Sequence, residues 1–143
     1  MILWLRNIAA YFICAIAATA LSRWIESTVT NDVVLPNLTT IVIALMAINV
    51  QTTAVIAVKL RELADKHNAN FSNSVKQFIF AFYEQGSLVI LSLTLSAISK
   101  AKIEIFNSQA IECASFFIIF SSLHIFIDTT IGLLICLFPE TDD

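Results

Sequence analysis

Four long apolar runs dictate what this chain can become: residues 2–21, 38–60, 78–98 and 114–138. A hydrocarbon core about 30 Å thick is crossed by roughly 20 apolar residues in a helix, and each run meets that length. The first is broken only by Arg6 and Asn7. A soluble domain of 143 residues that is 58% hydrophobic and only 13% charged could not hide so much apolar surface, and the excess would drive aggregation. In lipid the outer faces need no burial, and each helix satisfies its own backbone polar groups. The sequence therefore predicts an all-α fold, a polytopic transmembrane four-helix bundle that forms a single domain over residues 1–143.

Local signals punctuate the runs. Pro36 suits the first turn of the second helix, where no amide partner is lost. Ser74 and Gln77 have capping-box spacing ahead of the third. Pro139, followed by Glu140 and two terminal aspartates, stops the fourth. Arg6, the apolar stretch behind it and Ala18-Thr19-Ala20 also fit a secretory signal with a cleavage site; we read the segment as the first span. Cys14, Cys113 and Cys136 lack metal-ligand spacing and read as small buried hydrophobes. With two glycines and two prolines, long flexible linkers and low-complexity segments are excluded.

Orientation follows from Lys and Arg near the helix ends. Arg6, Lys59, Arg61, Lys66 and Lys76 fall on one side, against Arg23, Lys100 and Lys102 on the other. The first side is expected to be cytoplasmic, with both termini there, in a multi-pass protein of the cell inner membrane. Trp4 and Trp24 fit interfacial anchoring.

The cytoplasmic segment between spans two and three is the most polar stretch. Its first part is expected to prolong helix two into water, with Leu60, Leu63 and Ala64 on one face. Lys59, Arg61, Lys66, His67 and Lys76 then form either a solvated helix end or a contact surface for a soluble protein partner or anionic headgroups. A net charge of −3 argues against a nucleic-acid partner.

Ionisable side chains within a span are costly and face the bundle interior or a wet path. Glu84 in span three, and His124 with Asp128 in span four, are the clear cases; Asn49 and Gln51 in span two also need hydrogen-bond partners. At 1.5 Å per residue, Glu84 lies about 10 Å from the cytoplasmic end of its span, and Gln51 and Asp128 about 14 and 15 Å from theirs. Three helices thus carry a polar group into one layer. Ser121, His124 and Asp128 form a stripe at i, i+3 and i+7; Asn49, Thr52 and Thr53 share a face from which Gln51 points away. Either the layer is polar glue between helices, or it lines a path for protons or cations with His124 as a relay.

Catalysis is poorly supported. Ser121, His124 and Asp128 have the residue types of a triad, but on one helix stripe they lack an oxyanion site or nucleophile turn. Gly86 and Gly132 make no phosphate loop, and no His-Glu-x-x-His motif or other metal pattern occurs. No enzyme activity, cofactor or metal is expected.

Phe82-x-Glu84-x-Gly86-x-Leu88 in span three and His124-Ile125 in span four resemble the RexB family, the membrane component of the lambda Rex phage-exclusion system. Length, four spans and a basic segment after the second are also similar. The interval from Glu84 to His124 is longer here and Asp128 has no counterpart, so only Glu84, Gly86 and His124 carry over. The resemblance implies an inner-membrane abortive-infection protein, forming an ion channel that depolarises the cell once a cytoplasmic partner senses phage. Three function classes follow: an ion-conducting homo-oligomer; an anchor or sensor holding a soluble defence partner through residues 59–76; and a bacteriocin immunity protein recognising its target through the connections at 22–37 and 99–113.

Overall fold

A computed structural model describes residues 2–67, 71–101 and 107–137. These residues form helices α1 (Ile2–Trp24), α2 (Leu35–His67), α3 (Ser72–Lys100) and α4 (Ser108–Leu137), with a π-helical turn at Thr30–Val34 leading into α2. There is no strand among the described residues. All four helices are long and apolar enough to cross a membrane.

α2 and α3 outrun their apolar stretches at both ends, α1 does so at its C-terminal end and α4 at its N-terminal end. Hydropathy marks the part that suits hydrocarbon, whereas backbone hydrogen bonding continues into the polar flanks. The 33 residues of α2 extend about 50 Å, well beyond a bilayer core. α3 begins at Ser72, with Phe71 as N-cap and no side-chain cap bond. The capping box expected at Ser74 is therefore absent: Ser74 already lies inside the helix, and Val75 N–H reaches the Phe71 carbonyl at 3.1 Å. Pro36 does fall in the first turn of α2. It has no N–H to give, and the widened turn before it, where Leu35 N–H bonds to the Thr30 carbonyl, accommodates it.

α1 ends in a Schellman motif. Ser27 N–H bonds to the Ser22 carbonyl at 2.8 Å and Glu26 N–H to that of Arg23 at 3.0 Å, which caps the last turn. The left-handed position is held by Glu26, at φ 53°, where glycine is the usual occupant.

α4 is the hub of the bundle. It packs against α1, α2 and α3, and α2 also packs against α3, whereas α1 leans on α4 without a comparable contact to α3. Side-chain pairs show that α2 and α3 run antiparallel: Thr39 meets Ser96 and Ser92 at 3.3 and 3.4 Å, and further along Asn49 meets Gln85. Arg23 with Glu112 and Tyr11 with His124 set α1 antiparallel to α4.

The burial pattern is inverted relative to a soluble protein. Among the described residues, seven hydrophobic side chains are buried against eleven polar ones. The buried apolar centre is only Leu38, Val42 and Ile118, with Leu88, Val89, Leu95 and Ile119 packed around it. Meanwhile Ile13, Ile90 and Ile135 are each about two-thirds exposed (66, 67 and 66%). Such a surface is stable where lipid, not water, meets it. Cys14 belongs to this outer surface and is exposed, contrary to the expected burial; Cys113 is half-buried, and both are free thiols. The Cys136 side chain lies outside the described residues.

Candidate functional site

Because α1 rests on α4 and not on α3, a cleft opens between α1 and α3 with α4 as its floor. Its volume is about 320 Å³, and three helices turn polar groups into it: Asn7 and Tyr11, Glu84 and Ser87, and Ser121, His124 and Asp128. Each set follows helical spacing, at i and i+4, i and i+3, and i, i+3 and i+7, so each is one side of its helix. The space suffices for several waters. Of the five residues in the polar layer read from the sequence, Glu84, His124 and Asp128 meet here.

The cleft's contacts are specific. The Tyr11 ring lies 5.1 Å from the His124 ring, inclined by 44°, and is within electrostatic reach of both Glu84 and Asp128. Ser87 Oγ donates to the Glu84 carbonyl at 2.6 Å. Tyr11 Oη and Ser121 Oγ are buried and have no hydrogen-bond partner among the described residues. Both residues belong to the lining of the cleft, although the two oxygens themselves are buried. Two carboxyl groups, an imidazole, a phenol and hydroxyls around one cleft have the chemistry to hold a cation or pass a proton.

Asn49 and Gln51 do not join this cleft. Asn49, buried at 6% exposure, donates from Nδ2 to Gln85 Oε1, and Gln85 is only 1% exposed. This amide pair sits among α2, α3 and α4, beside a cavity of about 10 Å³ that Thr53 and Thr129 also line. Gln51 lies on the outer side of α2 and is exposed. The layer that the sequence suggests is therefore split three ways: a cleft, an amide pair and an outward glutamine. Two residues one position apart differ by about 100° around a helix, which is why Glu84 serves one interface and Gln85 another. Sequence reading passed over Gln85; a second amide within an apolar run was the available signal.

The glycines impose no tight approach at the site. A Cβ on Gly86 would meet nothing within 4 Å.

The basic residues after span two are mounted on helices. Lys59, Arg61 and Lys66 lie on the last turns of α2, and Lys76 on the second turn of α3. Lys59 pairs with Glu62 at 2.7 Å in a partly exposed i,i+3 contact, worth a few tenths of a kcal/mol by itself, on the order of 0.3. Leu60 is buried and Leu63 and Ala64 half-buried, so this end of α2 keeps an apolar side against the bundle. The His67 side chain and residues 68–70 lie outside the described residues.

The opposite end carries a cluster that the apolar-run boundaries obscured. Arg23 Nε meets Glu112 Oε2 at 3.3 Å and Nη2 meets Ser108 Oγ at 3.2 Å, while Ser22 and Thr30 share a hydrogen bond at 3.3 Å. Glu112 is buried in α4, a helix that starts six residues before the apolar stretch. Among the described residues no group of three His, Cys, Asp or Glu side chains is placed to hold a metal ion. Comparison with known proteins gives no matching family model, no matching curated protein and no matching solved structure.

Proposed function

We propose that this chain is an integral membrane protein that carries protons or small cations through the cleft between α1, α3 and α4. One observation supports the reading above others: two carboxyl groups and an imidazole from α3 and α4 share a space with the unbonded Tyr11 and Ser121 hydroxyls. Polar contact between helices also occurs away from the cleft, in the Asn49–Gln85 pair, where Asn49 Oδ1 and Gln85 Nε2 likewise have no partner among the described residues. What sets the cleft apart is its volume and its ionisable lining from α3 and α4, which suit a solvated path. In such a path Glu84 and Asp128 attract the cation, His124 exchanges protons, and Tyr11 and Ser121 hold water in file.

The RexB-like residues Glu84, Gly86 and His124 support assigning this activity to abortive infection at the inner membrane, with both termini cytoplasmic. Conduction there collapses the membrane potential. A second reading, an anchor for a soluble defence partner, draws on a different observation. α2 continues past Lys59 for about 12 Å as a charged helix, a rigid handle that includes exposed Arg61 and Lys66.

Purified protein in liposomes tests the first reading. An imposed proton or potassium gradient should dissipate, and Glu84→Gln with Asp128→Asn should slow the flux by at least about tenfold, the scale expected for removal of relay groups. Unchanged leakage in the double variant refutes the path. Capture of a soluble partner that is lost on charge reversal at Arg61 and Lys66, with no flux in liposomes, selects the anchor.

A further inference from the structure

α2 presents an outward face that the rest of the bundle leaves uncovered. Its buried positions include Leu38, Val42, Asn49, Ile56 and Leu60. On the opposite side Thr40, Ala44, Ala47, Gln51, Ala54 and Val58 are all exposed. They recur at alternating steps of four and three residues, the spacing that keeps a single seam in line along a helix crossing. Five of the six are small or short, which lets a facing helix come close.

Gln51 is the informative member. It lies about 12 Å before Lys59, the first charged side chain of α2, and thus at hydrocarbon depth. It is exposed, and no hydrogen bond to another described residue reaches it. Other polar side chains within the spans find partners or a wet neighbour differently: Thr94 bonds to its own helix at the Ile90 carbonyl, and His124 and Asp128 line the cleft. Acyl chains offer a carboxamide neither donor nor acceptor, so leaving it in lipid is unfavourable.

We infer that this stripe is a homodimer interface, centred on Gln51 facing the same glutamine of a second copy. The occupant follows from chemistry. A carboxamide is donor and acceptor at once, so across a two-fold axis it completes itself with its own image. A lipid cannot do this, and an unrelated helix would need a matching polar group at the same level. α2 contributes no residue to the cleft, so the dimer holds two separate clefts, one within each protomer, and no shared axial bore. This inference requires only that the helices lie in a membrane; it does not depend on ion movement.

Cysteine cross-linking in membranes tests it. With Cys14, Cys113 and Cys136 changed to Ser, single cysteines are placed at Ala47, at Ala54 and, on the exposed side of α3, at Ile90. Oxidation should link copies through positions 47 and 54 and not through 90. Gln51→Leu should lower the dimer association constant about fivefold, the typical worth of one interhelical side-chain hydrogen bond, and Gln51→Asn should retain part of it. Cross-linking equal at all three positions, or confined to 90, overturns the interface. So does an unaltered yield in Gln51→Leu, or single-step photobleaching of the labelled protein in dilute proteoliposomes. Flux measured on the same samples separates the two ideas. Dimer lost with flux intact leaves the path standing, and flux lost in the Glu84 and Asp128 variants with cross-links intact leaves the dimer standing.

Discussion

The Tyr11 ring rests 5.1 Å from that of His124, a contact between α1 and α4 inside the cleft that α3 and α4 supply with acids. Tyr11 Oη is buried without a protein partner among the described residues, so its two possible roles have opposite consequences on removal. If it only occupies space, Tyr11→Phe relieves an unsatisfied hydroxyl and stabilises by about 1 kcal/mol with flux unchanged. As a member of the path, its loss slows proton flux severalfold. We expect the second outcome, and liposome flux beside thermal unfolding in detergent distinguishes them. His124→Phe preserves the ring contact and should likewise slow flux.

Asn49 and Gln85 should behave as a unit. Each single change to Leu strands the other amide in a dry interior, at a cost of about 1–3 kcal/mol. The double change removes both polar groups at similar volume and should recover most of that loss. Reversible unfolding in mixed micelles gives the double-mutant cycle. Additive losses would mean the two amides do not depend on one another.

Arg23→Ala should destabilise by about 1–2 kcal/mol, because it leaves the buried Glu112 carboxylate with no cation beside it. The half-exposed Arg23 side of the pair keeps the figure below that of a fully buried bridge. Glu112→Gln in the Arg23→Ala background should restore much of the loss. The measurement is the shift in unfolding midpoint at low and high salt.

Glu26→Gly should raise stability by about 1 kcal/mol, since it removes the Cβ penalty at a left-handed cap. Glu26→Val should lower it, because branching at Cβ makes the same φ worse. Thermal midpoints of the three proteins in one detergent decide the matter.

Run length and composition made the four helices legible, because lipid thickness acts on every span alike. Their true ends were not legible. Trp24, Leu35 and Ser108 are set by backbone bonds and caps that carry no hydropathy signal, and the Schellman turn at Glu26 lacks the glycine that normally announces it. Glu84, His124 and Asp128 could be singled out because charge within a span is rare. Which of them share a space depends on which helices touch, and periodicity within one helix does not encode that. Hence Gln51 looked like a member of the layer although it faces outward, and Gln85, which pairs inside, went unmarked. Tyr11 was hidden for another reason: a phenol is ordinary among apolar residues, and only its position against His124 gives it meaning.

The dependence of α1 on α4 carries a consequence for how the chain is made. α1 finds its support in α4, which begins more than eighty residues later in the chain, or several seconds of synthesis at about 5–20 residues per second. Until then α1 waits in the bilayer alone while α2 and α3 are free to zip along their Thr39–Ser92 and Asn49–Gln85 contacts. Thr19 is prepared for that interval, because its hydroxyl bonds to the Ala15 carbonyl of its own helix at 2.8 Å. Tyr11 is not, and acquires its neighbour only when His124 arrives. Synthesis in this order makes both helices of the α2–α3 hairpin available before α4, the floor of the cleft.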